Sequence, residues 1–366
     1  MADALVISTD KGLYCPQGGF YIDPWRPVDR ALITHAHSDH ARSGNKSYLT
    51  AEPGLQVLRA RLDNGANVET LPYGKEQKIK EVTVSFHPAG HVLGSAQVRL
   101  EHKGRIWVVS GDYKTQPDPT CPPLEVVRCH TFITESTFAL PIYQWPDETR
   151  VVDEMNEWWH KNKSEGRASV LFGYSFGKAQ RILKSIDSSI GPIYVHGAVH
   201  KLNQEYISSG VSLPDTTYIK DADKRVDFKE ALVIAPPSSY DSAWTRRFGE
   251  HSSGFASGWM RVRGNRRRQS VDRGFVFSDH ADWNGLLSVI ESTEADQVIV
   301  THGFSNSLIR YLKGRGKTAR GMKTVYEGEE SEMSAVNAIR DVEPAFDESV
   351  KETFSADIGE DGGESK

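Results

Sequence analysis

Cysteine is scarce. The 366 residues contain three (Cys15, Cys121, Cys129), an odd number with no CxxC pair. This excludes a disulfide framework and a cysteine-held zinc, and it suits a reducing, cytoplasmic setting. Long apolar runs are also missing. None approaches 18 residues, so neither a transmembrane helix nor a membrane partner is expected. The opening Met-Ala-Asp-Ala-Leu-Val-Ile-Ser has no basic segment followed by an apolar one, and no secretory signal is read there. Nor is there an excess of basic charge, since the formal net charge is -5. The acidity is concentrated at the end of the chain: from Asp341 to Lys366 nine carboxylates face two lysines, which leaves 42 basic against 40 acidic residues elsewhere. Any polyanion site on the body must therefore be local. Residues 336–366 read as an acidic, disordered tail.

The remaining composition, 38% hydrophobic and 25% charged, is that of a soluble globular protein with room for two domains or one nested fold. Residues 1–137 read as β-rich, with strands at Leu5–Ser8, Gly19–Ile22, Ala31–Thr34 and Val82–His87. A hairpin Ala96–His102/Arg105–Ser110 is expected to turn at Lys103-Gly104, and a helix is expected over Gly54–Leu62. Asp147 caps an expected helix to Lys163, whose Trp158 and Trp159 read as core. Strands Ser169–Phe172, Ile193–Val195 and Ala231–Ala235 then alternate with helices Lys178–Ile186 and Lys201–Ser208, the pattern of a helix-covered parallel sheet. A strand Phe275–Phe277, a helix Asp282–Ser292, a strand Gln297–Thr301 and a helix Ser305–Leu312 return to a mixed texture. One unit, 138–271, inserted between residues 1–137 and 272–335 would explain the order.

The segment that carries chemistry is Thr34-His35-Ala36-His37-Ser38-Asp39-His40. His35 and His37 would share a face of a continuing strand, with Asp39 and His40 in the turn. Imidazoles and a carboxylate at this density suit a borderline cation, zinc first, then manganese or iron; a histidine-rich surface loop is the bland alternative. Four such residues cannot complete two metal sites. Further candidates follow apolar runs beside glycines: His91 (Ala-Gly-His-Val-Leu-Gly-Ser), Asp112 (Ser-Gly-Asp-Tyr), His280 (Ser-Asp-His-Ala-Asp-Trp) and His302 (Thr-His-Gly).

In this order the residues resemble the metallo-β-lactamase fold, with Asp23 in Tyr-Ile-Asp-Pro matching its first motif. Glu135 in Thr-Glu-Ser-Thr, His280 and His302 match the three added motifs of the β-CASP nucleases. Residues 173–181 (Gly-Tyr-Ser-Phe-Gly-Lys-Ala-Gln-Arg), 195–199 (Val-His-Gly-Ala-Val) and 278–283 are similar to the bacterial ligase-associated DNA exonucleases. The resemblance implies an α/β fold: an αββα sandwich with residues 138–271 as an inserted β-CASP cap. It further implies two zinc ions, with manganese as the alternative, one on His35, His37 and His91 and the other on Asp39, His40 and His302, bridged by Asp112. Asp23 would orient a ligand histidine from behind. A hydroxide between the two cations would attack the phosphodiester, and His280, poised by Glu135, would protonate the departing sugar oxygen.

For substrate, Arg261-Val262-Arg263-Gly264-Asn265-Arg266-Arg267-Arg268 suits phosphate contact, with Arg266, Arg267 and Arg268 as the named candidates, or else is a solvated basic loop. Ser175 and Lys178, between an expected strand and helix, could meet a phosphate at the helix N-terminus. The resulting expectation is a DNA exonuclease of repair, its nucleic-acid partner DNA rather than RNA, with a DNA ligase or helicase as associated protein by resemblance. The alternatives are an RNA-processing nuclease, for which Glu135 and His302 match the form of the motifs in the RNA-cleaving branch, a small-molecule hydrolase of the same fold, and an inactive scaffold subunit.

Overall fold

A computed structural model of the chain describes residues 4–223, 225–240, 242–262 and 271–326. Arg266, Arg267 and Arg268 and the acidic tail lie outside the described residues. Among the described residues no helix is long and apolar enough to cross a membrane.

Strands β1 (Ile7–Ser8), β2 (Leu13–Cys15), β3 (Phe20–Ile22), β4 (Arg30–Ile33), β5 (Ser47–Ala51) and β6 (Val68–Leu71) form one sheet in that order, with helix α1 (Leu55–Arg61) between β5 and β6. Next, β7 (Gln77–Ile79), β8 (Val82–Pro88), β9 (Ala96–His102), β10 (Arg105–Val109) and β11 (Thr131–Ser136) build most of a second sheet. Lys103 (φ 50°) and Gly104 (φ 73°) make the β9–β10 turn, two successive left-handed residues whose twist matches that of the strands.

The chain then leaves for a separate sheet. Its elements are α2 (Glu148–Ser164), β12 (Ala168–Phe172), α3 (Lys178–Ser185), β13 (Ile193–Val195), α4 (Gly197–Ser208), β14 (Thr217–Tyr218), β15 (Leu232–Ala235), β16 (His251–Ala256) and β17 (Arg273–Phe275). It returns through α5 (Trp283–Ser292), β18 (Gln297–Gly303), α6 (Ser305–Gly314) and β19 (Thr318–Gly321). The second sheet closes in the order β19-β18-β11-β10-β9-β8-β7. Caps mark the helix starts: Asp147 accepts from Arg150 N (3.2 Å) and Asp282 from Gly285 N (2.7 Å).

The first two sheets stack face to face. Leu13, Phe20, Ile22, Leu32 and Leu49 of one meet Val84, Phe86, Val98, Leu100 and Ile133 of the other in a single buried cluster. Residues one step along the strands point outward: Ala31 and Ile33 pack under α1, while Val108, Phe132 and Val298 pack under α5 and α6. The result is a four-layer αββα sandwich. The third sheet, in the order β14-β13-β15-β12-β16-β17, is entirely parallel. It is buried on both faces, by α2 and α3 on one side and by Phe138, Tyr143, Phe248 and Trp259 on the other. From β12 the chain winds one way, and after β15 it winds the other. The crevice beyond the carboxyl ends of these two strands is the position where such sheets hold ligands.

Most expected elements are found within a few residues. The expected strand Phe275–Phe277 lies earlier, at Arg273–Phe275, and the helix expected from Lys201 starts a turn earlier, behind a His196 cap (Ala198 N to His196 Nδ1, 3.1 Å). Strands β2, β5, β6, β7, β11, β14, β16 and β19 went unanticipated. In β16 two serines and a glycine stand where a buried strand usually carries aliphatics. Trp158 Nε1 serves Ser252 Oγ at 3.0 Å and Asp272 serves Ser253, so neither hydroxyl is left unsatisfied.

Candidate metal centre

Strands β8, β10, β11 and β18 run in the same direction, so their carboxyl ends share one edge of the second sheet. His91 and Asp112 follow the first two, and Glu135 and His302 stand in the last part of the other two. The His35–His40 loop follows β4 of the facing sheet. Three turns of chain and a return from the third sheet thus converge at one place.

The contacts there are close. His91 Nε2 lies 3.1 Å from His37 Nδ1 and 3.9 Å from Asp112 Oδ2, which is 3.5 Å from both His35 Nε2 and His40 Nε2. His302 Nε2 is 3.1 Å from Asp112 Oδ1, and Asp39 Oδ2 is 3.7 Å from His40 Nε2. Tetrahedral zinc with bonds of about 2.0–2.1 Å has ligand–ligand edges of roughly 3.3–3.4 Å, a value that the distances here, 3.1 to 3.9 Å, bracket. The sets His35/His37/His91/Asp112 and His40/Asp112/His302 each gather within ligand reach, so Asp112 belongs to both. His35 Nε2 and His40 Nε2 are buried and have no hydrogen-bond partner among the described residues, as expected of atoms meant for a cation.

The outer nitrogens are all engaged. His35 Nδ1 meets Thr34 Oγ1 (3.0 Å), His37 Nε2 meets the Phe176 carbonyl (3.3 Å) and His40 Nδ1 meets Asp23 Oδ2 (2.8 Å). His91 Nδ1 meets the Asp279 carbonyl (2.7 Å) and His302 Nδ1 meets Thr301 Oγ1 (3.2 Å). Such bonds fix the tautomer and turn the other nitrogen inward. Burial pushes the His35, His37 and His91 imidazoles down, and the neighbouring His40 and His280 deepen the effect at His35 and His91. All three stay neutral, as ligands must. At His40 burial also opposes the charge, but Asp112, Asp39 and Asp23 outweigh it and raise the imidazole to about 10.

Asp23 is itself buried and sits in left-handed backbone (φ 43°). Thr34 N (2.8 Å), Thr34 Oγ1 (2.5 Å) and His40 Nδ1 all bond its carboxylate, and Tyr326 Oη bonds its carbonyl (3.0 Å), enough partners to hold a strained residue in place. Tyr326 also stacks on the His40 ring (4.2 Å between centroids, 16° between planes). Sequence reading missed Tyr326, a lone tyrosine before an acidic tail with no motif around it. It also missed Phe176 and Asp279, which act through backbone carbonyls and so leave no signal in side-chain chemistry.

Glu135 and His280 meet. His280 Nδ1 lies 2.9–3.0 Å from both carboxylate oxygens, and Glu135 Oε1 accepts from Tyr113 N (2.8 Å). Both are buried, and the pair is close enough to Asp112 to form a further candidate ligand group. Ser175 is half-buried in the β12–α3 loop, one residue from the carbonyl that holds His37. Lys178 requires a correction. It is fully buried, and its Nζ is 3.0 Å from Asp279 Oδ2, because α3 packs onto the 277–279 segment instead of opening toward a phosphate.

No family model matches the chain. Among curated proteins it is 34% identical over 316 residues to a probable DNA ligase of Opitutus terrae, covering 86% of this chain and 30% of that protein. It is 25% identical over 213 residues to an RNase J-like protein of Methanocaldococcus jannaschii, covering 50% of this chain and 51% of that protein. It is 29% identical over 214 residues to ribonuclease TTHA0252 of Thermus thermophilus, covering 50% and 46%. The chain thus spans under a third of the first relative's length and about half of the other two. Among solved structures, a protein of unknown function from Enterococcus faecalis V583 shares the fold, with a TM-score of 0.54 at 13% identity over 81% of this chain and 79% of that one.

Proposed function

The chain belongs to the metallo-β-lactamase/β-CASP nuclease family, and on that premise we propose that it is a two-metal phosphodiesterase, a DNA exonuclease serving DNA repair. One observation carries the reading: five imidazoles, each hydrogen-bonded on its outer nitrogen, surround one buried carboxylate. In this reading His35, His37 and His91 would hold one divalent cation and Asp39, His40 and His302 the other, with Asp112 available to both. The donor set favours zinc, with manganese as the alternative. When bound, two such cations neutralise charge on a phosphate and make water a usable nucleophile near neutral pH.

The chain's own residues do the rest. Asp23 holds His40 in the tautomer that exposes Nε2. Glu135 accepts a hydrogen bond from the Nδ1–H of His280, which stabilises the protonated ring so that its Nε2 proton can go to the departing sugar oxygen. Residues 138–271 are the β-CASP cap on a sandwich made of 1–137 and 272–335. The substrate strand runs through the crevice at the carboxyl ends of β12 and β15, past Ser175, with Arg266, Arg267 and Arg268 gripping its phosphates.

DNA as substrate is supported by a relative that matches 86% of this chain and whose name is that of a DNA enzyme; a ligase or helicase as partner is part of the same reading. Cleavage of RNA is the second reading, favoured by several relatives named as ribonucleases or RNase-like, the two described above among them. End-labelled single-stranded DNA and RNA of matched sequence, with zinc or manganese and a chelator control, test the choice. Stepwise, metal-dependent shortening of DNA with RNA spared is expected. Preferential cleavage of RNA would replace the first reading with the second, and two bound metals without cleavage of either would refute both.

A further inference from the structure

We propose that Lys178 and Arg181, on α3 of the parallel-sheet unit, are positioning residues for the metal-facing nitrogen of His91, acting through Asp279. For the metal step this rests on the two-metal reading above.

His91 Nδ1 donates to the Asp279 carbonyl at 2.7 Å. That bond keeps the proton on Nδ1 and leaves Nε2 with its lone pair facing His37 and Asp112. A carbonyl can hold a tautomer only while its own peptide stays fixed, and here the parallel-sheet unit fixes it. The Arg181 guanidinium donates to the Ser278 carbonyl (2.9 Å), lies 3.1 Å from Asp279 Oδ1, and covers the Phe277 ring at 3.7 Å. Lys178 Nζ takes the other Asp279 oxygen at 3.0 Å. Three consecutive residues, 277–279, are thus clamped from one helix, and the next residue is His280.

Counter-charges complete the clamp. Glu148, the first residue of α2, lies 3.4 Å from Arg181 Nε and 3.1 Å from Lys114 Nζ, and Asp118 lies 3.9 Å from Arg181. Three cations face three carboxylates, five of the six all but inaccessible and Glu148 19% exposed in its side chain. Apolar residues of the same size would pack here at least as favourably, since buried charges lose much of their attraction to desolvation. What apolar residues cannot do is fix the direction of a carbonyl to within hydrogen-bond tolerance. The network joins residues 277–279 to α2 and α3 of the inserted unit and, through Lys114, to the loop after Asp112, so a shift of α3 reaches the metal-facing imidazole through a single peptide.

The test uses the full chain with Arg181→Met, Lys178→Met and the conservative Arg181→Lys. Three quantities are measured: the His91 tautomer in metal-free protein from its ¹⁵N shifts, zinc affinity by chelator competition, and kcat against KM on an oligonucleotide. Wild type should show the Nδ1-protonated form of His91. Arg181→Met should show mixed tautomers, bind one of two zinc ions about 10–100-fold more weakly, and lose kcat with KM little changed. Arg181→Lys should recover most of each property. Lys178→Met, which leaves the Ser278 bond intact, provides the same readouts with a smaller perturbation should Arg181→Met fold poorly. A folded Arg181→Met or Lys178→Met with the wild-type His91 tautomer and zinc affinity would overturn the proposal. Failure of wild type to bind zinc would instead overturn the two-metal reading, while the tautomer measurement still judges the clamp.

Discussion

Replacing Asp23 by Asn isolates one proton. The side chain keeps its size, and Asn tolerates the left-handed backbone at φ 43° as well as Asp does, so no strain is added. The amide oxygen can keep the bond from Thr34 N (2.8 Å), and the new NH2 group can donate to Thr34 Oγ1. Toward His40 Nδ1, 2.8 Å away, a donor now stands where an acceptor stood. The imidazole relieves the clash by giving up its Nδ1 proton and keeping one on Nε2, the atom aimed at Asp112. A cation must then reverse that tautomer before it can bind. Losses of this kind amount to about 10–100-fold in metal affinity, or roughly 1.4–2.7 kcal/mol. Metal-free stability should fall by only about 1–2 kcal/mol, since one charge-assisted hydrogen bond is weakened. Zinc titration against a competing chelator, with melting of the metal-free protein alongside, separates the two effects. Two zinc sites of unaltered affinity in a folded Asp23→Asn protein would refute the role of Asp23 behind His40.

Asp112→Asn and Asp39→Ala should abolish cleavage while circular dichroism stays native, and unchanged turnover of either would remove that residue from the metal set. His280→Ala should keep both metals, yet slow oligonucleotide cleavage by about 10²–10⁴-fold. A phosphodiester with a p-nitrophenyl leaving group, which departs without a proton, should lose far less; loss of a metal instead would make His280 a ligand. Replacing Arg266, Arg267 and Arg268 together by Ala should weaken binding equally across sequences and flatten its dependence on salt, so an unchanged slope would mark a solvated loop. Gly303→Ala would put a Cβ 2.3 Å from the Ser136 carbonyl at φ 92°, and a loss of about 2–4 kcal/mol in denaturant unfolding is expected.

Local chemistry was legible where a few adjacent residues carry the whole signal. The His35–His40 loop announces a cation by density alone, and the Lys103-Gly104 turn, the Asp147 and Asp282 caps and the apolar strands Ala168–Phe172 and Leu232–Ala235 are determined within their own stretches of chain. Less was legible where tertiary burial overrides local preference. Strand β11 mixes Thr, Glu and Ser with its apolar residues, and β16 is half serine and glycine, so neither has a strand's usual composition; both are buried strands because flanking strands and distant partners satisfy their polar groups. Lys178 looked like a phosphate ligand because its loop-to-helix position is all that sequence displays, and the carboxylate that claims it, Asp279, lies 101 residues downstream.

The division follows from how each property is encoded. Which residues can ligate a metal, protonate a leaving group or start a helix is intrinsic to their side chains and nearest neighbours, and the sequence by itself determined those. Which imidazole nitrogen turns inward was decided by partners 1 to 188 residues away: Thr34, Asp23, Phe176, Asp279 and Thr301. Two of these act through main-chain carbonyls. Every residue has such a group, so only the fold, by bringing one carbonyl within 2.7 Å of His91, could give it a role.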